Sequence, residues 1–289
     1  MTTTTIDWSA LLQQGISDTD YHAQPTLSST GARKLLACPA RYKWERDNPP
    51  EHKRAFDLGH VVHTLVLGEG GEIVVVEADN WVTKAAKEAR DAAYAVRATP
   101  VLRSEYEAAE AMRDAVMAHD TAAEVFQDFA AELSGTYTDE QTGVALRFRP
   151  DCLTTLDGRA LCVDLKTTVN ADPKEFGRSI AKFGYHAQAA WYLDGLIANG
   201  VEDPRFLFVA VEKTAPYCVS VLELDAEALA EGARLNRKAI DLFAQCVETD
   251  TWPAYGPGIH TLSLPGWALR DANNEAAEQL INELKGLTA

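Results

Sequence analysis

The chain has 289 residues, 46% of them apolar, which is enough to bury one large α/β core, and its 27 Lys and Arg against 43 Asp and Glu give a formal net charge of −16. That balance excludes indiscriminate nucleic-acid binding and leaves phosphate contacts to local basic patches. No apolar run reaches membrane-spanning length, the first ten residues lack the basic and apolar regions of a signal peptide, and five cysteines without a C-x-x-C pair indicate neither zinc ribbon nor redox motif, so a soluble protein of a reducing cytoplasm is expected.

Residues 1–25 show little periodicity and read as an arm. Ser28 or Ser29 can cap a short helix carrying Leu35 and Leu36 that stops before Pro39, and Asn48-Pro49-Pro50 marks a loop. Seven cations between Arg33 and Arg54, including Arg41 and Lys43, face only Glu45, Asp47 and Glu51 and form the first candidate basic patch. Phe56, Leu58, Val61, Val62, Leu65 and Leu67 make a helical stripe ending near Gly68, and residues 73–76 read as a short buried strand. Residues 83–131 are rich in helix formers and predict two or three helices.

The period then shifts to two. Residues 136–138, a polar turn at 139–143, and strand-like stretches 144–156 and 159–168 follow, the last two separated by Asp157-Gly158. Asp172-Pro173 starts a helix with a second basic cluster, Lys174, Arg178 and Lys182. Another helix covers 185–198, residues 206–211 and 217–224 pair as strands, and Asp225 opens a helix to about 247. Trp252-Pro253 begins an irregular stretch with a last helix near 275–284. The order predicts an α/β (α+β) fold, one mixed sheet flanked by helices, in a single domain over 1–289 with a helical insertion at about 83–131.

If Asp157 and Gly158 are the turn, Leu156 pairs with Arg159, and counting outward sets Asp151 opposite Asp164 and Arg149 opposite Lys166 on one face. The other face collects Phe148, Cys152, Leu161, Val163 and Leu165. Opposed carboxylates repel unless a cation lies between them, and hard oxygens suit Mg²⁺ or Mn²⁺. Such an ion acidifies water and polarises a phosphodiester, while Lys166 offsets charge developing in the transition state. Glu132, just before the strands, is a further candidate ligand through water or a second ion. Arg147 and Arg149 are candidate phosphate contacts or salt-bridge partners, and Arg41 and Lys43 are candidate DNA contacts.

Pro150-Asp151 followed by Asp164-Leu165-Lys166 resembles the PD-(D/E)xK nuclease core. Gly59-His60-Val61-Val62-His63 resembles the G-x-x-x-H helix of RecB-like nucleases, which implies that His63 is a metal ligand. Gln188-Ala189-Ala190-Trp191-Tyr192 resembles the Q-x-x-x-Y motif of the same superfamily, which implies that Gln188 and Tyr192, on one helix face, touch DNA or brace the lysine. Tyr21-His22, the Ser28-Ser29 helix, Cys38-Pro39-Ala40-Arg41-Tyr42, the stretch 58–67, residues 206–217 and the late Trp252 to Tyr255 are similar to phage RecE-type exonucleases (the exonuclease VIII family). The resemblance leaves out only residues 72–131. It implies Mg²⁺-dependent, and Mn²⁺-supported, 5′-to-3′ degradation of linear double-stranded DNA to 3′ single-stranded tails in the bacterial cytoplasm. It also implies a ring-like homo-oligomer and a single-strand annealing partner. Asp164 stands where many superfamily members carry Glu, and RecE-like sequences accept Asp. Cys38 has a counterpart in iron–sulfur members, but only Cys246 lies beyond Cys218, so no iron–sulfur cluster is expected. The alternatives are an endonuclease and a non-catalytic DNA-binding module of the same fold.

Overall fold

The computed structural model describes residues 6–48 and 57–264. One compact unit runs through Ala254, and Tyr255–Ala289 form a second unit, of which residues 255–264 carry exposed Ile259 and Leu262. Lys53, Arg54 and the helix expected near 275–284 lie outside the described residues. Among the described residues, no helix is long and apolar enough to cross a membrane.

Residues 6–25 of the expected arm are instead built into the core. Helices α1 (Trp8–Leu11) and α2 (Asp18–Ala23) are capped by the side chains of Asp7 and Ser17 and bury Trp8, Leu12 and Tyr21. Each is too short to generate a readable period, which is why the sequence shows none. Strand β1 (Leu27–Ser28) leads into α3 (Ser29–Ala37), where Ser28 Oγ accepts from Gly31 N at 3.1 Å as anticipated for a cap. Pro39 opens α4 (Pro39–Asp47), and α5 (Asp57–Leu67) carries Leu58, Val61, Val62, Leu65 and Leu67 of the expected apolar stripe, whose Phe56 lies outside the described residues. Next come β2 (Ile73–Val76), α6 (Lys84–Ala95), β3 (Thr99–Leu102), α7 (Arg103–Ala118), α8 (Asp120–Val125) and β4 (Phe129–Ala131). The region expected to be purely helical therefore contains two strands. Four residues with a proline at the second position gave β3 no strand signature, yet it pairs in parallel with β2.

A hairpin of β5 (Gly135–Thr138) and β6 (Ala145–Phe148) joins β1 in a three-stranded sheet ordered β1-β6-β5. Then follow β7 (Cys152–Leu156), β8 (Arg159–Thr168), α9 (Pro173–Phe183), α10 (Tyr185–Ala198), β9 (Arg205–Glu212), β10 (Val219–Glu223) and α11 (Ala226–Thr249). The five-stranded sheet has the order β10-β9-β8-β7-β4, with β8 and β9 parallel across the α9–α10 crossover. The stretch 144–156 is thus not one strand. It breaks at residues 149–151, and its halves belong to different sheets. Phe148 consequently packs with Trp191, Leu153 and Phe208, while Cys152, Leu161, Val163 and Leu165 pack on the opposite face under α5 and α7 with Val61, Val62 and Met112.

Helices α10 and α11 meet at Gly232, where a Cβ would lie 2.2 Å from the His186 backbone oxygen; nearby, Asn236 Nδ2 donates to Ala187 O at 2.9 Å. Gly232→Ala would gain about 1 kcal/mol of helix propensity. Backbone cannot yield as a flexible side chain can, so the clash outweighs this gain. The expected result is a net loss of about 1–2 kcal/mol in denaturant unfolding, since overpacking costs roughly 1–3 kcal/mol.

Candidate active site

The hairpin register is the one the turn residues specify. Asp157 and Gly158 both have positive φ (52° and 76°), and the ladder runs from Leu156↔Arg159 to Cys152↔Val163. It stops there. Asp151 lies one step beyond the last pair, next to Asp164, and its Oδ2 accepts from Leu165 N at 2.8 Å. Arg149 does not oppose Lys166. Its Nε donates to Ser134 Oγ (2.8 Å) and its Nη2 to Ile16 O (2.8 Å), and its guanidinium lies 4.1 Å from the Tyr21 ring centroid. The break at 149–151 releases this side chain from the sheet.

Asp164 is 1% exposed. Its Oδ1 accepts from Gln188 Nε2 at 2.6 Å; its Oδ2 forms an ion pair with Lys166 Nζ without a hydrogen bond of good geometry. Gln188 also reaches Tyr192 Oη at 3.4 Å. One turn of α10 therefore fixes the buried carboxylate from above the sheet. From the other side α5 brings His63, whose Nδ1 is 3.6 Å from Asp151 Oδ2. Glu132, at φ 49°, donates its backbone N–H to Asp151 O at 3.1 Å. His63, Glu132, Asp151, Lys166 and Tyr185 line one cleft of about 840 Å³ that reaches Arg178 and Lys182.

Burial pushes the Asp151 carboxyl up to about 7, and the neighbouring Asp164 adds to the rise against the opposing pull of Lys166 and the Leu165 N–H. Burial and then Lys166 lower the pKa of His63 and favour the neutral imidazole. Lys166 is opposed by burial, but Asp164 and Asp151 outweigh it and hold the ammonium above its usual pKa. The cleft thus sets a carboxyl that burial inclines to keep its proton beside a neutral ring and a charged ammonium.

Among the described residues, no three His, Cys, Asp or Glu side chains already converge on one point. The donor set nevertheless fits a hard divalent ion. It offers a neutral imidazole, a carboxylate that burial and a like charge destabilise, and a buried Asp164 oxygen whose one partner among the described residues is the Lys166 ammonium. His63, Asp151 and Asp164 are the residues that would hold it, with Glu132 on the same cleft wall.

The other candidates lie elsewhere. Arg147 is buried, with Nη1 donating to Gln24 O at 2.7 Å and to Thr26 Oγ1 at 3.0 Å. Lys43 pairs with Asp47, Lys34 with Glu45 (2.6 Å) and Arg178 with Glu175 (2.7 Å), so part of each basic cluster is matched by its own acids; Arg41 is exposed on α4. Sequence reasoning missed Tyr185, whose ring lies 5.0 Å from Lys166 Nζ, and it counted Arg33 only as a cation of the first basic patch. Arg33 Nη1 donates to Gly184 O at 3.2 Å, and its charge senses Tyr192 and Asp164. Gly184, at φ 68°, leaves the space Arg33 needs, since a Cβ there would lie 2.8 Å from Arg33 Cδ. A glycine followed by an aromatic at a helix start is the only local signal of either.

Residues 28–263 match the family model described as a PDDEXK-like domain of unknown function (DUF3799). No curated protein matches the sequence. Among solved structures, a provisionally named exonuclease from Eubacterium rectale aligns over 87% of this chain and 96% of its own at 14% identity and a TM-score of 0.60, a likeness of fold. A phage-related exonuclease from Haemophilus somnus 129PT aligns over 78% of this chain and 96% of its own, at 10% identity and a TM-score of 0.31.

Proposed function

Because the chain belongs to the PDDEXK-like family DUF3799, we propose that it is a divalent-metal-dependent nuclease, and specifically a 5′-to-3′ exodeoxyribonuclease acting on linear double-stranded DNA. The observation that carries this reading is the meeting of His63, Asp151 and Lys166 at one cleft, with Asp164 buried against Lys166 and held by Gln188. When bound, Mg²⁺ or Mn²⁺ supplies an acidified water and polarises the scissile phosphate.

The chain's own residues do the rest. Lys166 keeps its proton in this surrounding, so it offers a fixed cation to a phosphoryl oxygen as charge grows there. Gln188 orients Asp164, and Tyr192 holds the Gln188 amide. The RecE-type resemblance supports the 5′-to-3′ polarity, and with it 3′-tailed products, a ring-like oligomer and a single-strand annealing partner. Arg41 and the cations along α9 are the proposed contacts to flanking phosphates.

Digestion of linear duplex DNA labelled at either the 5′ or the 3′ end tests the proposal. With Mg²⁺, the 5′ label should be released as small products first, and covalently closed circles should survive. Cutting of closed circles would make the protein an endonuclease. DNA binding without turnover in Mg²⁺ or Mn²⁺ would make it a non-catalytic module.

A further inference from the structure

Lys166 Nζ is supported in the cleft from two directions. One support is the Asp164 carboxylate, with which it forms an ion pair. The other is the face of Tyr185, whose ring centroid lies 5.0 Å away, within cation–π range. A lysine stem is flexible and its ammonium is a strongly hydrated point charge, so its place in an open cleft has to be enforced by neighbours. The carboxylate support is conditional. Asp164 is also a residue that would hold a divalent ion, and a carboxylate shared between two cations holds each less firmly while the cations repel. The aromatic support is not conditional, because the negative face of the ring is the same whatever shares Asp164.

Tyr185 is itself firmly placed. The half-buried ring lines the cleft and packs against Phe176, Phe183 and Phe208, with centroids 6.1, 5.6 and 5.8 Å away and planes tilted by 31°, 33° and 37°. It is also the first residue of α10, and its backbone is fixed from a distant part of the chain. Gly184, in the left-handed region, ends α9 and starts α10 with no side-chain cap. Its carbonyl accepts from Ala187 N at 3.1 Å and Gln188 N at 3.2 Å. Arg33, on α3, donates from Nη1 to Phe183 O (3.3 Å) and to that same Gly184 O (3.2 Å), and from Nη2 to Thr30 Oγ1 (3.2 Å). All of these are neutral oxygens, so the guanidinium acts as a clamp on the backbone corner rather than as the partner of an acid. The clamped corner carries Tyr185 and, one turn on, Gln188, the side chains that touch Lys166 and Asp164.

We infer that Tyr185 is a positioning residue for Lys166, keeping the ammonium in place when Asp164 also serves a divalent ion, and that Arg33 fixes Tyr185 by gripping the α9–α10 corner. The consequence for hydrolysis rests on the nuclease reading, whereas the placing of the ammonium does not. A ring needed only for packing would affect stability and leave turnover alone. A ring that holds Lys166 affects kcat and leaves KM, because the lysine acts on charge that develops in the transition state.

Turnover of end-labelled linear duplex DNA in Mg²⁺, resolved into kcat and KM, is the first measurement. Tyr185→Leu should lower kcat about tenfold and change KM by less than about twofold, the size expected for one cation–π contact. Tyr185→Phe, which retains the ring, should restore kcat to within about twofold of wild type. Arg33→Met should lower kcat at least as far as Tyr185→Leu, and the double variant should be no slower than Arg33→Met alone, because the two residues act in series. The second measurement needs no turnover: crystal structures of wild type and Tyr185→Leu, each grown with EDTA and with Mn²⁺. Lys166 should stay over the ring in wild type under both conditions and leave Asp164 in Tyr185→Leu, most completely with Mn²⁺. If Tyr185→Leu does not melt cooperatively, Arg33→Met is read in its place by both measurements. The proposal is overturned by a Lys166 that keeps its place in Tyr185→Leu, by a kcat that this variant leaves unchanged, or by a Tyr185→Phe as slow as Tyr185→Leu. A wild type that never cleaves, with Lys166 displaced only in the variant, would retain the positioning role and reject the nuclease reading.

Discussion

Asp164→Ala and Lys166→Ala are each expected to lower hydrolysis of linear duplex DNA by about 10³-fold or more, and the double variant Asp164→Asn/Lys166→Met to be no worse than either. Removing one donor to a developing oxyanion typically costs about 10²–10³ in rate, and groups that act as a unit do not add. The stability pattern separates catalysis from folding. Asp164→Ala strands a mostly buried ammonium, and Lys166→Ala strands a carboxylate that is 1% exposed with Gln188 alone to hold it. Breaking a buried pair in this way costs about 3–5 kcal/mol, nearer the low end for Asp164→Ala because the Lys166 side chain keeps 18% of its exposure. Replacing both partners with neutral groups of similar shape removes the stranded charge, so the double variant should unfold close to wild type. A wild-type-like melting curve with no hydrolysis would tie the lost activity to chemistry; hydrolysis above about 1% of wild type in that double variant would reject these residues as catalytic.

The residues behind that prediction were legible in sequence because their geometry is local. Asp157-Gly158 forces a tight turn, and counting from it places Asp164 and Lys166 on one face without knowledge of anything distant. The same counting failed at Arg149. What ends the ladder there is long-range, since Arg149 is drawn to Ser134, Ile16 and Tyr21, and Tyr21 belongs to a segment that looked like an unstructured arm. Arg33 illustrates the same limit. It sits about 150 residues from Gly184 in sequence, and only the packing of α3 near α10 makes their contact. Part of the first basic patch is matched by acids for a local reason that composition hides. A count of seven cations does not reveal that Lys43 and Asp47 share a helix face or that Lys34 reaches Glu45. By contrast α5, α10 and β8 are continuous elements of 11, 14 and 10 residues, each readable as a helix or strand, and they carry His63, Gln188 and Lys166.

Metal binding should be visible as stability before any DNA is added. At a concentration 100 times its Kd, an ion that binds only the folded chain adds about 2.7 kcal/mol. For a unit of this size that raises Tm by roughly 5–10 °C. EDTA should remove both this rise and the hydrolysis. Asp151→Asn is expected to act in opposite directions on the two states. Without metal, burial and Asp164 make the Asp151 charge unfavourable in the fold, so a neutral amide that still accepts from Leu165 N should leave Tm unchanged or slightly higher. With Mn²⁺, the loss of a hard anionic ligand should cancel most of the upward shift and abolish turnover. His63→Ala should weaken the Mn²⁺ response less, because a neutral imidazole contributes no charge to the ion. The comparison is decided by differential scanning of the same preparations with Mn²⁺ and with EDTA. A Mn²⁺ shift of wild-type size in Asp151→Asn would place the ion elsewhere and leave the two carboxylates without the counter-charge on which this chemistry depends.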